Sequence, residues 1–157
     1  MRIQLWSIGK AHDRSMSTAI DGFTDRLKKY YPAQWHLIAP VKNAASLPVG
    51  DLKKAEATVV LNQLEPGDFL VLLDEKGKML SSPDLAELLE RRATESTKRI
   101  VFLIGGAFGV DQAVRARAQV VWSLSDLVFP HMLVRLILAE QLYRASTIIR
   151  GEKYHHL

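Results

Sequence analysis

Apolar residues in this chain fall into short dense runs separated by stretches with helical spacing. Ile3, Leu5 and Ile8 make a short run ending at Gly9, the pattern of a first strand. Ile20, Phe23, Leu27, Tyr30 and Tyr31 then recur every three or four residues, which predicts a helix with Ser15 or Ser17 as its N-cap and Pro32 closing the segment. Trp35–Val41 reads as a second strand, and Leu52–Leu64 as a helix that Pro66, Gly67 and Asp68 stop. The continuous apolar run FLVLLD (69–74) suits a strand buried on both faces of a parallel sheet, and EKGK after it reads as a turn.

Ser82, Pro83 and Asp84 offer an N-cap, a proline at the first helical position and an acid near the positive end of a helix reaching about Arg92. Arg99–Ile104 is another buried strand, entering Gly105 and Gly106. Asp111–Ala118 is a short helix, and a strand around Val120–Ser123 leads into the loop Leu124–Phe129. Pro130 opens the longest helix, to about Ile149, with Val134, Ile137, Leu138, Gln141, Leu142, Ala145 and Ile148 as a wide stripe. Strands alternating with helices imply an α/β fold, a mainly parallel sheet flanked by helices. No repeat or linker interrupts the pattern, and the loosest stretch, Val41–Gly50, reads as a surface loop, so residues 1–157 are expected to form one domain.

Composition narrows the classes. With 48% apolar residues, 24% charged residues and no cysteine, the chain is globular, and disulfide scaffolds, Cys-ligated zinc, iron–sulfur clusters and thiol catalysis are excluded. MRIQLWSIGK reads as a strand and not a signal peptide, and no run approaches the roughly 18 apolar residues of a membrane span. The expectation is a soluble, cytoplasmic protein. The net charge of +4 is unevenly spread: residues 1–50 and 115–157 are basic and 51–114 acidic. Basic ends permit an anionic partner such as RNA, although from charge alone a solvated surface is the favoured reading.

Parallel sheets bind ligands outside the carboxyl ends of their strands, where Leu73–Lys78, Gly105–Gly109 and Leu124–His131 fall. GGAFG is not the dinucleotide fingerprint and no phosphate loop is present, which argues against a standard Rossmann dehydrogenase and an NTPase. The glycines either let backbone approach a ligand or simply make a tight turn. His131 and Arg135, four apart, share a face near the positive end of the long helix, where an anion or an electron-rich base edge could be held; capping is the plain alternative. Glu140 and Arg144 have ion-pair spacing. Tyr154, His155 and His156 either contact bases or form a solvated tail, and two histidines are too short a run for a metal site.

LDEKGKMLSS (73–82), FLIGGAFG (102–109), SLSDLVFPHMLVRLILAEQLYRA (123–145) and RGEKYH (150–155), in this order, closely resemble the RlmH family of SPOUT-class methyltransferases. The resemblance implies methylation of N3 of a pseudouridine in large-subunit ribosomal RNA, with S-adenosylmethionine as methyl donor; because so small a domain has no separate RNA-binding module, the assembled ribosome is the expected substrate. The resemblance also implies a homodimer and a C-terminal trefoil knot, which general topology rules would not have predicted. Carried over position by position, the cofactor pocket would use Leu73, Gly105, Leu124, Ser125, Asp126, Leu127, Val128 and Phe129. The acceptor pocket would use His131 and Arg135 with Tyr154 and His155 of the partner subunit, the base remaining unassigned. A same-fold methyltransferase acting on tRNA and a non-catalytic ribosome-assembly factor are the alternatives.

Overall fold

The structure, a computed structural model, describes residues 1–156. Five strands, β1 (Arg2–Ile8), β2 (Ala33–Ile38), β3 (Phe69–Met79), β4 (Arg99–Ile104) and β5 (Val120–Ser123), form one sheet in the order β2-β1-β4-β3-β5, and every pairing is parallel. The helices are α1 (Arg14–Leu27), α2 (Val49–Gln63), α3 (Ser82–Thr94), α4 (Gln112–Arg117) and α5 (His131–Ile149).

Both faces of the sheet are covered, which is why its strands are apolar at successive positions and not only at alternate ones. Ile3, Leu5, Val71, Ile100 and Phe102 pack with Leu27 of α1, Leu85 and Leu89 of α3, and Leu138 and Leu142 of α5. On the opposite face Trp6, Ile8, Leu70, Leu72, Val101 and Leu103 pack with Val60 of α2 and Val114 of α4. Each fully buried Leu or Ile here contributes about 1.5–3 kcal/mol. From the neighbouring strands β1 and β4 the chain leaves to opposite faces, into α1 and α4, so the topological switch point lies between them.

Local signals decide most boundaries, with several corrections. Asp13, not Ser15 or Ser17, is the N-cap residue of α1, and β2 ends at Ile38 and not Val41. A 3-10 turn at Ala44–Ser46 breaks the expected loop, and α2 begins at Val49 behind Pro48. The N-cap of α3 is Ser81: its hydroxyl accepts from the Asp84 N–H, and the Asp84 carboxylate accepts from the Ser81 N–H. EKGK is not a free turn. It belongs to β3, which bulges after Leu73 and pairs again with β5 through Lys78 and Met79. Among the described residues no helix is long and apolar enough to cross a membrane.

Candidate active site

The carboxyl ends of β3, β4 and β5 open into a cavity of about 470 Å³, and all three loop segments singled out from the sequence meet there. β3 contributes Leu73 and Asp74. Both Leu73 and Lys78 pair with Trp122, so residues 74–77 are thrown out of the ladder toward the cavity. Asp74 is held there by Arg115 of α4 at 2.8 Å. Gly77 is required by packing: a Cβ on it would lie 2.6 Å from the Val121 carbonyl carbon and oxygen.

β4 ends in the glycine wall. A Cβ on Gly105 would meet Val110 Cγ1 at 2.6 Å, so a larger residue here would have to displace the Val110 side chain. The turn closes by a hydrogen bond from the Gly109 N–H to the Gly106 carbonyl at 3.1 Å, with Gly109 at φ 84°. After β5, Ser123 Oγ donates to the Ser125 carbonyl and Ser125 Oγ accepts from the Leu127 N–H, both at 3.0 Å, which shapes the third wall. Leu124, Ser125, Leu127, Val128 and Phe129 line the cavity, whereas Asp126 is exposed on the same loop and is not part of the lining. Phe108, Leu127 and Val128 stand 59%, 70% and 80% exposed around the mouth, a large apolar rim.

His131, the first residue of α5, lines the cavity, and its Nε2 bonds the Gly105 carbonyl. A carbonyl only accepts, so Nε2 carries the proton and the Nδ1 lone pair is free. Burial, opposed by the bond to Gly105 and aided by the Arg135 charge, holds the His131 pKa below its ordinary value, which keeps the ring neutral. Arg135, one turn on, does not line the cavity. Its fully buried guanidinium turns to the end of β1, donating from Nε to Ser7 Oγ and from Nη1 to His12 Nδ1, each at 3.1 Å.

The tail folds back instead of fraying. Tyr154 donates its hydroxyl proton to Glu140 at 3.0 Å, its ring lies 4.7 Å under the Arg144 guanidinium, and Arg144 also donates to Glu140 and to His155 Nδ1. Glu140 is nine residues beyond His131 on α5, about 13 Å along the axis. Within one chain, therefore, Tyr154 and His155 cluster with each other and not with His131. His156 is exposed.

Sequence reasoning marked the segment holding Asp74, Glu75 and Lys76 but gave these charges no role, and it missed Lys53 and Arg115, which complete the charged edge of the cavity. Asp74 was detectable as the acid closing an apolar strand; Lys53 and Arg115 come from distant helices and left no local signal. The cavity suits a flat heteroaromatic group and a thioether chain: Gly105 gives backbone access, Leu73, Leu124 and Phe129 give apolar walls, and the buried Trp122 indole N–H on the wall has no acceptor of its own. Among the described residues no cluster of three or more His, Asp or Glu is placed to hold a metal ion.

The family described as "Predicted SPOUT methyltransferase" matches residues 1–155. The chain is 41% identical, over 99% of each chain, to a protein of Parabacteroides distasonis named ribosomal RNA large subunit methyltransferase H. It is 40% identical, again over 99% of each, to a protein of the same name from Flavobacterium johnsoniae. A probable methylase family protein from Haemophilus influenzae Rd KW20 shares the fold with a TM-score of 0.56 at 12% identity, over 99% of this chain and 70% of the other.

Proposed function

Since this chain belongs to the SPOUT methyltransferase family and its full-length relatives are large-subunit ribosomal RNA methyltransferases, we propose that it methylates N3 of a pseudouridine in 23S ribosomal RNA on the assembled ribosome. It acts as a single-domain enzyme of the cytoplasm. SPOUT methyltransferases use S-adenosylmethionine, which when bound supplies an activated sulfonium methyl group. The observation that carries the reading is the convergence of the glycine wall, the 124–129 loop and His131 on one cavity at the strand ends, with apolar walls and a charged edge.

The chain's own part is alignment and charge management. Leu73, Gly105, Leu124, Ser125, Leu127, Val128 and Phe129 enclose the cofactor, and Asp126 belongs to the same cofactor loop at an exposed position outside the cavity lining. An imide N3–H must lose its proton before it accepts a methyl group, so donors that stabilise the resulting anion on the flanking carbonyl oxygens help the transfer. His131 and Arg135, with Tyr154 and His155 of the partner subunit, serve this acceptor side.

A homodimer is part of the proposal. The tail of the same chain is held about 13 Å along α5 from His131, so a second copy is the source of a tyrosine and a histidine at the acceptor. The exposed rim of Phe108, Leu127 and Val128 and the half-buried Leu133, Leu136 and Ile137 of α5 supply apolar surface for it. A trefoil knot fits the path of α5, which leaves edge strand β5 yet packs between α1 and α3 with His131 against the end of β4.

Transfer of labelled methyl to ribosomes that carry the pseudouridine, and not to ribosomes retaining uridine there, is the expected result. Labelling of tRNA instead would reject the acceptor. His131→Ala should lower transfer, with S-adenosylhomocysteine affinity measured beside it because the ring also bonds the Gly105 carbonyl of the cavity wall; full activity in both His131→Ala and Arg135→Ala would remove them from the acceptor side.

A further inference from the structure

Two charged side chains are buried among the described residues, and they are treated differently. Asp68 is paired with Arg99. Arg135, with no exposure, bonds only the neutral Ser7 and His12, and its Nη2 is buried with no acceptor. Asp13 and Asp21 are the acids that act on this cluster, and neither forms an ion pair with Arg135. An uncompensated buried guanidinium is destabilising, which makes it an unused donor as well as an unpaired charge.

The surroundings of Nη2 favour an anion. It lies against Gly9, where a Cβ would be 3.4 Å away and where φ is 144°, a conformation that favours glycine. The N-termini of α1 and α5 meet beside it, joined by the Asp13 N–H on Met132 Sδ at 3.5 Å. Neither helix has a side-chain cap or an acid in its first turn, so both present free amides and the positive end of a dipole. The guanidinium only donates, so His12 accepts through Nδ1 and its Nε2 carries a proton as a further donor. Lys10 on this loop and Arg14 at the start of α1 are exposed. The site lies at the β1/β4 switch point, adjoining the cofactor cavity through His131 and Gly105.

We propose that Gly9, Lys10, His12 and Arg135 form a phosphate site that anchors a backbone phosphate of the RNA beside the nucleotide to be methylated. The site rests on the reading that the acceptor is RNA. Exposed Lys10 and Ala11 adjoin Gly9, so a short displacement of this turn opens Nη2 to the phosphate oxygen. Arg135 thereby acts as an RNA-binding and positioning residue from beneath the acceptor, while His131 faces the cavity.

The test is Arg135→Met, which keeps length and apolar stem, with Lys10→Ala as an exposed second variant. Binding to pseudouridine-bearing large ribosomal subunits is measured over a potassium chloride series. Each variant should bind about tenfold more weakly, with a salt slope flatter by about 0.7–0.9, the value of one phosphate contact. Affinity for S-adenosylhomocysteine should not change. In parallel, inorganic phosphate should raise the Tm of the wild type and leave that of Arg135→Met unmoved.

Wild-type affinity and slope in a folded Arg135→Met, or in Lys10→Ala should the first not fold, would overturn the proposal. So would equal stabilisation of wild type and Arg135→Met by phosphate. Phosphate stabilisation of the wild type alone, with RNA affinity unchanged, would overturn the RNA anchor in favour of a free-anion site. If the wild type neither binds nor methylates ribosomal particles, the proposed function and the RNA anchor fall together, while the phosphate measurement still decides the anion site by itself.

Discussion

Gly77→Ala should damage both the fold and the cofactor cavity through a single methyl group. The residue lies in the bulge where β3 rejoins β5, and its added Cβ would stand 2.6 Å from the carbonyl carbon and oxygen of Val121 and 2.8 Å from the amide nitrogen of Trp122. These are backbone atoms of a paired strand, so no rotamer change relieves the contact. Separation must grow by roughly 1 Å to reach the ~3.5 Å optimum, which means moving β5 or re-forming the bulge. Overpacking of this kind costs about 2 kcal/mol, and at this chain length that is roughly 4–8 °C in Tm. Because β5 carries Trp122 and Ser123 on the cavity wall, affinity for S-adenosylhomocysteine should fall too. Gly22→Ala is the internal control: it is helical and exposed, with nothing within 4 Å of its Cβ, and should be stabilising by about 0.5–1 kcal/mol. Thermal denaturation and calorimetric titration read both. A Gly77→Ala protein as stable as the wild type with unchanged cofactor affinity would refute the argument that backbone contact dictates glycine there.

Asp68→Asn should destabilise by about 3 kcal/mol in urea unfolding, because Asp68 is 3% exposed and accepts from Arg99 Nε at 2.7 Å and from the Glu65 N–H at 2.8 Å, so the change leaves Arg99 unpaired. Burial by itself would raise the Asp68 pKa, but the Arg99 and Glu65 hydrogen bonds outweigh it and hold the carboxyl below its ordinary 3.8. Its contribution to stability is therefore present above 3.8 and lost as pH falls through the depressed value, a loss that Asp68→Asn should abolish in acid titrations. His12 and His131 give a second window: burial lowers both below the ordinary 6.5, so the unfolded chain takes up more protons just beneath 6.5. Stability should be full above 6.5 and decline below it. Urea midpoints on either side of 6.5 check this, and His12→Gln should flatten the decline.

The site was legible in outline. Leu73–Lys78, Gly105–Gly109 and Leu124–His131 were marked as strand-end loops, and they do share one cavity. What the pattern missed was direction. Helical spacing put His131 and Arg135 on one face, but one ring meets the Gly105 carbonyl while the other side chain runs to Ser7 and His12, more than 120 residues back along the chain. Tyr154 and His155 read as an open tail because they fall at the end of the sequence, where residues normally fray; the attachment comes from Glu140 and Arg144.

The sequence by itself determined the alternation of strand and helix, the burial of the sheet on both faces and the strand-end segments that form the cavity. Those follow from periodicity and residue type within a few neighbouring residues. The tertiary structure decided the continuation of β3 through EKGK, the switch point between β1 and β4, and the unpaired state of Arg135. Each of these depends on which distant segment lies alongside. Polar residues such as Lys78 have no apolar period to announce a strand, and the hydrogen bonds that make one come from β5, more than 40 residues later.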